Sequence, residues 1–164
     1  MAESDLNSDW RVWLTAYAPL IVWIAIIFYL SSSSGSMTAT SRFIRPLLEF
    51  LFPASSEEVL LTFHFYIRKL GHISVYAILG FFAVRAFLQR SKVAPVKFAF
   101  AMASIVVLAV AVADEFNQSF NTSRTSSAGD VLLDCIGGLF AIVTYLAIRR
   151  SFANSVETSL RSNL

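Results

Sequence analysis

Cysteine is almost absent from this chain of 164 residues: Cys135 stands alone. An intrachain disulfide is therefore excluded, and with it the class of small domains held together by cross-links. Charge is scarce as well. Charged residues make up 15% of the chain against 56% hydrophobic ones, and the formal net charge is only +2. No basic stripe is visible, so no nucleic-acid partner is expected. There is no nucleophile elbow, no phosphate-binding glycine loop, no zinc signature and no repeat of fixed period. A basic leader with a short apolar core is missing too, because the first nine residues carry Glu3, Asp5 and Asp9.

What is present is apolar length. A mean hydropathy of +0.64 is more than a soluble domain of this size can hide. The fold expected is all-α, one membrane domain over residues 1–164, with four spans at about 12–30, 70–88, 96–113 and 130–148. Trp10, Trp13 and Tyr17 mark one interface of the first span and Tyr29 the other. Cys135 falls inside the last apolar run and reads as a small core residue.

Between the first two spans lies a segment too polar and interrupted to cross. Phe43, Leu47, Leu48, Phe50 and Leu51 are mixed there with Arg42, Arg45 and Glu49. That pattern suggests an amphipathic helix lying in the interface, with Pro46 in its first turn and Pro53 at its end. Ser55 and Glu58 then match a capping box that would start the next helix. The third span is rich in alanine, which lets helices pack closely.

The polar residues that remain are not scattered. On the second span, Lys69, His72, Tyr76, Gly80 and Ala83 recur at steps of three and four and share one face. Asp114, Glu115 and Gln118 gather at the end of the third span. A loop carrying Arg124 follows, and then Asp130, Asp134, Gly137 and Ala141 form a stripe at the start of the fourth. A charge at a helix centre in a bilayer costs about 2.5–3.5 kcal/mol on the mildest scale, so four clustered carboxylates call for a reason. Four spans put both termini on one side, with eight Lys or Arg residues there and five on the other. The positive-inside rule then makes the termini cytoplasmic in a multi-pass protein of the cytoplasmic membrane. It gathers the polar cluster at the extracytoplasmic end.

The stretches RKLGHISVYAILG and ADEFNQSFNTSRTSSAGDVLLDCIGG resemble the VanZ-like membrane proteins. Lys69, His72, Tyr76 and Gly80 fall on one part of that family's pattern. Glu115, Gln118, Phe120, Arg124, Asp130 and Gly137 or Gly138 fall on the other. FYLSSSSG, after the first span, resembles the family's serine-rich stretch. One departure is Asp134, which stands where the family often has Asn. The family is named for a member associated with low-level resistance to the glycopeptide teicoplanin. The resemblance implies an envelope protein that alters how such antibiotics meet the cell surface.

Three readings of the cluster follow. The favoured one is binding or modulation of an anionic lipid-linked or cell-wall ligand, with membrane lipids, a cell-wall precursor or a glycopeptide as partners. Lys69, Tyr76, Asp114, Gln118, Arg124, Asp130 and Asp134 would be the ligand-binding residues. The second is a membrane hydrolase or transferase, with His72 or Glu115 as acid or base and Arg124 holding the anion. The third is a small proton-coupled transporter, for which ionisable groups are expected nearer the midplane. Glu115 and Arg124 can equally be a brace across the loop. No metal motif is matched, and no metal or cofactor is expected.

Overall fold

In hydrocarbon an apolar stretch satisfies its own backbone N–H and C=O groups most simply as an α-helix. The computed structural model describes residues 2–32, 37–90, 95–120 and 127–162, and among them it contains helices and no strand. The helices are α1 (Ala2–Ser31), α2 (Met37–Leu51), α3 (Glu57–Arg90), α4 (Val96–Ser119) and α5 (Ala128–Ser162). Four of them, all but α2, are long and apolar enough to cross a membrane.

Helix α3 is the hub, in contact with α1, α2, α4 and α5. Its longest contact is with α5, and the two run parallel: Lys69 meets Asp130 and, further along both, Gly80 meets Gly138. Helices α1 and α4 run the other way. Trp23 of α1 donates its indole N–H to the Val75 carbonyl at 2.9 Å, while Tyr17, earlier in α1, packs edge-on to Phe87, later in α3. The core between them holds Leu20, Ile27, Tyr76, Leu79, Val107 and Ile142. Ala99, Ala103 and Ala111 of α4 are fully buried, as expected for a helix whose small side chains admit close neighbours. Large side chains such as Val22, Leu108, Val112 and Phe140 point outward and are more than half exposed. That is the surface a lipid-facing helix bundle presents.

The closest approach is made by glycine. A Cβ at position 80 would collide with the Gly138 carbonyl, and one at position 137 would collide with the Ile73 carbonyl. A Cβ at position 138 would run into the side chain of Val107 on α4. Both α3–α5 contacts are backbone against backbone, so no side-chain rotation relieves them.

Two helices outrun the spans read from sequence. Helix α4 runs on past Asp114 to Ser119, carrying Asp114, Glu115 and Gln118 buried on its last turns. Helix α5 continues past Arg149 and Arg150 to Ser162. Two helix starts differ from the expectation. Helix α2 begins at Met37, which puts Pro46 in its interior rather than its first turn. The Phe52 N–H closes its final turn on the Leu48 carbonyl at 2.8 Å, just before Pro53. Helix α3 starts at Glu57, and the Ser56 carbonyl accepts the Leu60 N–H at 3.1 Å. The helix therefore opens one residue later than a capping box built on Ser55 requires.

Helix α2 is amphipathic, with Leu48 buried and Phe43 and Phe50 about 80% exposed. Arg45 bridges Glu49 at 2.8 Å and Glu57 at 2.7 Å. Those pairs are half-exposed and contribute little, so the burial of Leu48 and Leu60 does most to hold α2 against α3.

Gly80→Ala is expected to lower stability by about 1–3 kcal/mol, the range for forcing atoms into a packed interior. Gly71→Ala is the control, because nothing lies within 4 Å of its added carbon. It is expected to be neutral or to gain roughly 0.5–1 kcal/mol, since alanine favours helix over glycine. Reversible unfolding of the two variants in the same detergent measures the difference.

Candidate functional site

The helical stripe on α3 presents Lys69, His72, Tyr76 and Gly80 to its neighbours. The glycine contacts fix α5 beside it, so the first turns of α5 lie along the upper part of the stripe. Lys69 forms an ion pair with Asp130, and His72 Nδ1 lies 3.4 Å from Asp134 Oδ1. The last turns of α4 close the third side. The Tyr76 hydroxyl donates to Asp114 Oδ2 at 3.1 Å, and the Gln118 amide donates to the same oxygen at 3.1 Å. Three helices thus deliver their polar groups to one end of the bundle.

Glu115 plays a different part. It accepts a hydrogen bond from the backbone N–H of Ser127. Ser127 in turn caps α5: its Oγ accepts the Gly129 N–H at 3.1 Å, and its carbonyl accepts the Asp130 N–H at 2.8 Å. Glu115 is therefore a brace that ties the end of α4 to the start of α5. The brace expected from sequence paired Glu115 with Arg124, which lies outside the described residues.

Beside this cluster is a cavity of ≈ 190 Å³. Ile27, Leu30 and Val75 give it an apolar wall, and Ser31, Thr40, Arg68, His72, Tyr76, Asp114 and Gln118 line it with polar groups. Of the residues singled out from sequence, His72, Tyr76, Asp114 and Gln118 reach the cavity. Lys69, Glu115, Asp130 and Asp134 do not line it: Lys69 pairs with Asp130, Glu115 holds the Ser127 backbone and Asp134 lies against His72.

Arg68 and Thr40 were not singled out from sequence. Arg68 donates to the Thr40 hydroxyl at 3.5 Å, and His64, buried one turn earlier on α3, is 3.3 Å from the same hydroxyl. The signal for Arg68 was available, since it stands four residues before His72 and so shares its face. Nothing in the α2 sequence marks Thr40.

Two carboxylate oxygens in the cluster are short of donors. Asp114 Oδ1 is buried and accepts no hydrogen bond among the described residues, and Asp134 Oδ1 has only the His72 Nδ1 contact at 3.4 Å, too long for a well-formed bond. The side chains that carry them are 3% and 1% exposed. A buried carboxylate oxygen left without a donor is costly.

Long apolar helices with their buried polar groups gathered at one end of the bundle define a multi-span membrane protein with a polar site at that end. The chain belongs to the VanZ/LLP1 family, whose family model matches residues 16–149. No curated protein and no solved structure matches it.

The Lys69–Asp130 pair is three-quarters or more buried at both side chains, so it is expected to couple measurably. A double-mutant cycle with Lys69→Met and Asp130→Asn should return an interaction of about 0.5–3 kcal/mol. Additive effects of the two substitutions on unfolding in detergent would contradict the pairing.

Proposed function

We propose that this protein binds the anionic head of a lipid-linked cell-wall ligand in the cavity beside His72, at the outer face of the cytoplasmic membrane. The observation that carries the reading is the cavity's lining. An apolar wall from α1 and α3 adjoins hydrogen-bonding groups from α2, α3 and α4, which suits an amphiphile with a charged head and a hydrocarbon tail. Arg68 supplies a cation whose planar fork matches phosphate or carboxylate. Arg124 is assigned the same task from the loop before α5.

Size narrows the ligand. Pockets for drug-sized molecules run to about 300–1,000 Å³, and this one is ≈ 190 Å³. A whole glycopeptide does not fit, whereas a phosphate-bearing headgroup does. An effect on teicoplanin susceptibility would then be indirect, through the availability of the lipid-linked precursor that the antibiotic meets. The cytoplasmic placement of both termini rests on the excess of Lys and Arg at the opposite end of the bundle. On that orientation α2 lies along the outer interface, its exposed Phe43 and Phe50 in the headgroup region.

One feature favours a second reading, as a hydrolase or transferase. His72 lines the cavity and has a carboxylate, Asp134, at its back. A base oriented by an acid is how imidazole is set for proton transfer. Release of product from a lipid-linked substrate by the purified protein, abolished in His72→Gln, is the outcome that would favour catalysis over binding.

For the binding reading, a long-chain isoprenyl phosphate should raise the thermal midpoint saturably, by an amount equivalent to about 2.7 kcal/mol at a hundred times Kd. Arg68→Ala and Arg124→Ala should each weaken the shift, and the uncharged isoprenyl alcohol should give none. Equal shifts from phosphate and alcohol, or shifts untouched by both substitutions, would refute it.

A further inference from the structure

The geometry points to a site for one divalent transition-metal ion, Zn²⁺ or Mn²⁺, held by His72 of α3, Asp114 of α4 and Asp134 of α5. One donor atom from each residue lies within 4.8 Å of the other two. Asp130 and Glu115 are not among the ligands, because Asp130 is committed to Lys69 and Glu115 to the backbone of Ser127. The absence of a short metal motif follows from the construction: each ligand comes from a different helix.

Two independent observations support an ion here. The first is Asp114 Oδ1, an unpartnered oxygen on a side chain more than nine-tenths buried, beside the equally buried Asp134 Oδ1, whose one near neighbour among the described residues is His72 Nδ1 at 3.4 Å. Asp114 uses its other oxygen to accept from Tyr76 and Gln118, which fixes the carboxylate and leaves Oδ1 for another partner. Such donors behind a ligating carboxylate are the usual support for a metal ligand. The second is charge. Two ionised carboxylates buried together carry −2, and a divalent cation offsets that charge, as a low-dielectric interior requires.

The donor set selects the ion. One imidazole nitrogen and two carboxylate oxygens suit Zn²⁺ or Mn²⁺ better than the all-oxygen shells of Ca²⁺ and Mg²⁺. Bonds of about 2.0–2.1 Å place tetrahedral ligands about 3.3 Å apart, so the donors close inward on binding. Three protein ligands leave a coordination position, and His72 and Asp114 both line the cavity. An ion held there would border the space where an anion can bind.

The site stands apart from the lipid reading, since metal uptake is measured with no lipid ligand added. Purified protein in detergent, its affinity tag removed and its metals stripped by chelator, is titrated with Zn²⁺, Mn²⁺ and Ca²⁺ separately. One equivalent of Zn²⁺ or Mn²⁺ per chain is expected, with a rise in thermal midpoint and at least tenfold weaker binding of Ca²⁺. Asp134→Asn should lose at least tenfold in affinity. The metal-free Asp134→Asn protein should melt no lower than metal-free wild type, because it carries one buried charge fewer. His72→Gln, a substitution at a partly exposed side chain, gives the same reading should Asp134→Asn fail to fold. No stoichiometric uptake by the wild type, or wild-type affinity in a folded variant of either kind, overturns the site.

Discussion

The contact that the rest of the molecule depends on is between backbones. Gly80 lies against Gly138, and Gly137 against the Ile73 carbonyl. Lipid tails are as apolar as leucine, so helices in a bilayer gain little by burying side chains and much by fitting closely. Glycine removes the one atom that would hold these two apart. Once α3 and α5 touch there, their register is set, and the residues one or two turns along meet without further choice. His72 is brought to Asp134 and Lys69 to Asp130.

Helix α4 completes what that contact begins. Its alanines bring it close enough for Tyr76 to reach Asp114. Its last turn carries Gln118 to the same carboxylate, and Glu115 to the first residue of the cap on α5. A charge near hydrocarbon is expensive alone and tolerable in company. Here nearly every polar group at this end has a specific neighbour. The exceptions among the described residues are Asp114 Oδ1 and Ser31 Oγ, both on residues that line the cavity, while Asp134 Oδ1 has only His72 Nδ1 at 3.4 Å.

Periodicity made much of this legible. The steps 69, 72, 76 and 80 put a polar and glycine stripe on one helix face, and the small residues after Asp134 marked a face where a neighbour could come near. Four apolar runs of spanning length fixed the class of fold. Helix ends were less legible. Asp114 looked like an exit from the membrane because a carboxylate ordinarily is one; in the fold it is held inside by Tyr76 and Gln118, and the helix runs on. Pro46 looked like a start because proline is at home in a first turn, yet α2 begins nine residues before it. Which acid meets which base was not legible at all, since that depends on how α4 and α5 are rotated about their axes. Glu115 and Arg124 made a plausible pair by sign; Arg124 lies outside the described residues, and the partner seen on Glu115 is the Ser127 backbone N–H. Arg68 was overlooked because Lys69 beside it completed the stripe, although Arg68 shares the face of His72.

The central claim is that α3 and α5 are locked in a register that sets His72 against Asp134. The most direct test is a solid-state NMR experiment on isotope-labelled protein in bilayers, reading the through-space contact between the His72 imidazole nitrogen and the Asp134 carboxyl carbon. An N–O separation of 3.4 Å predicts a strong short-range transfer between them. Well-resolved signals from both residues with no transfer between them would contradict the register, and the shared site with it.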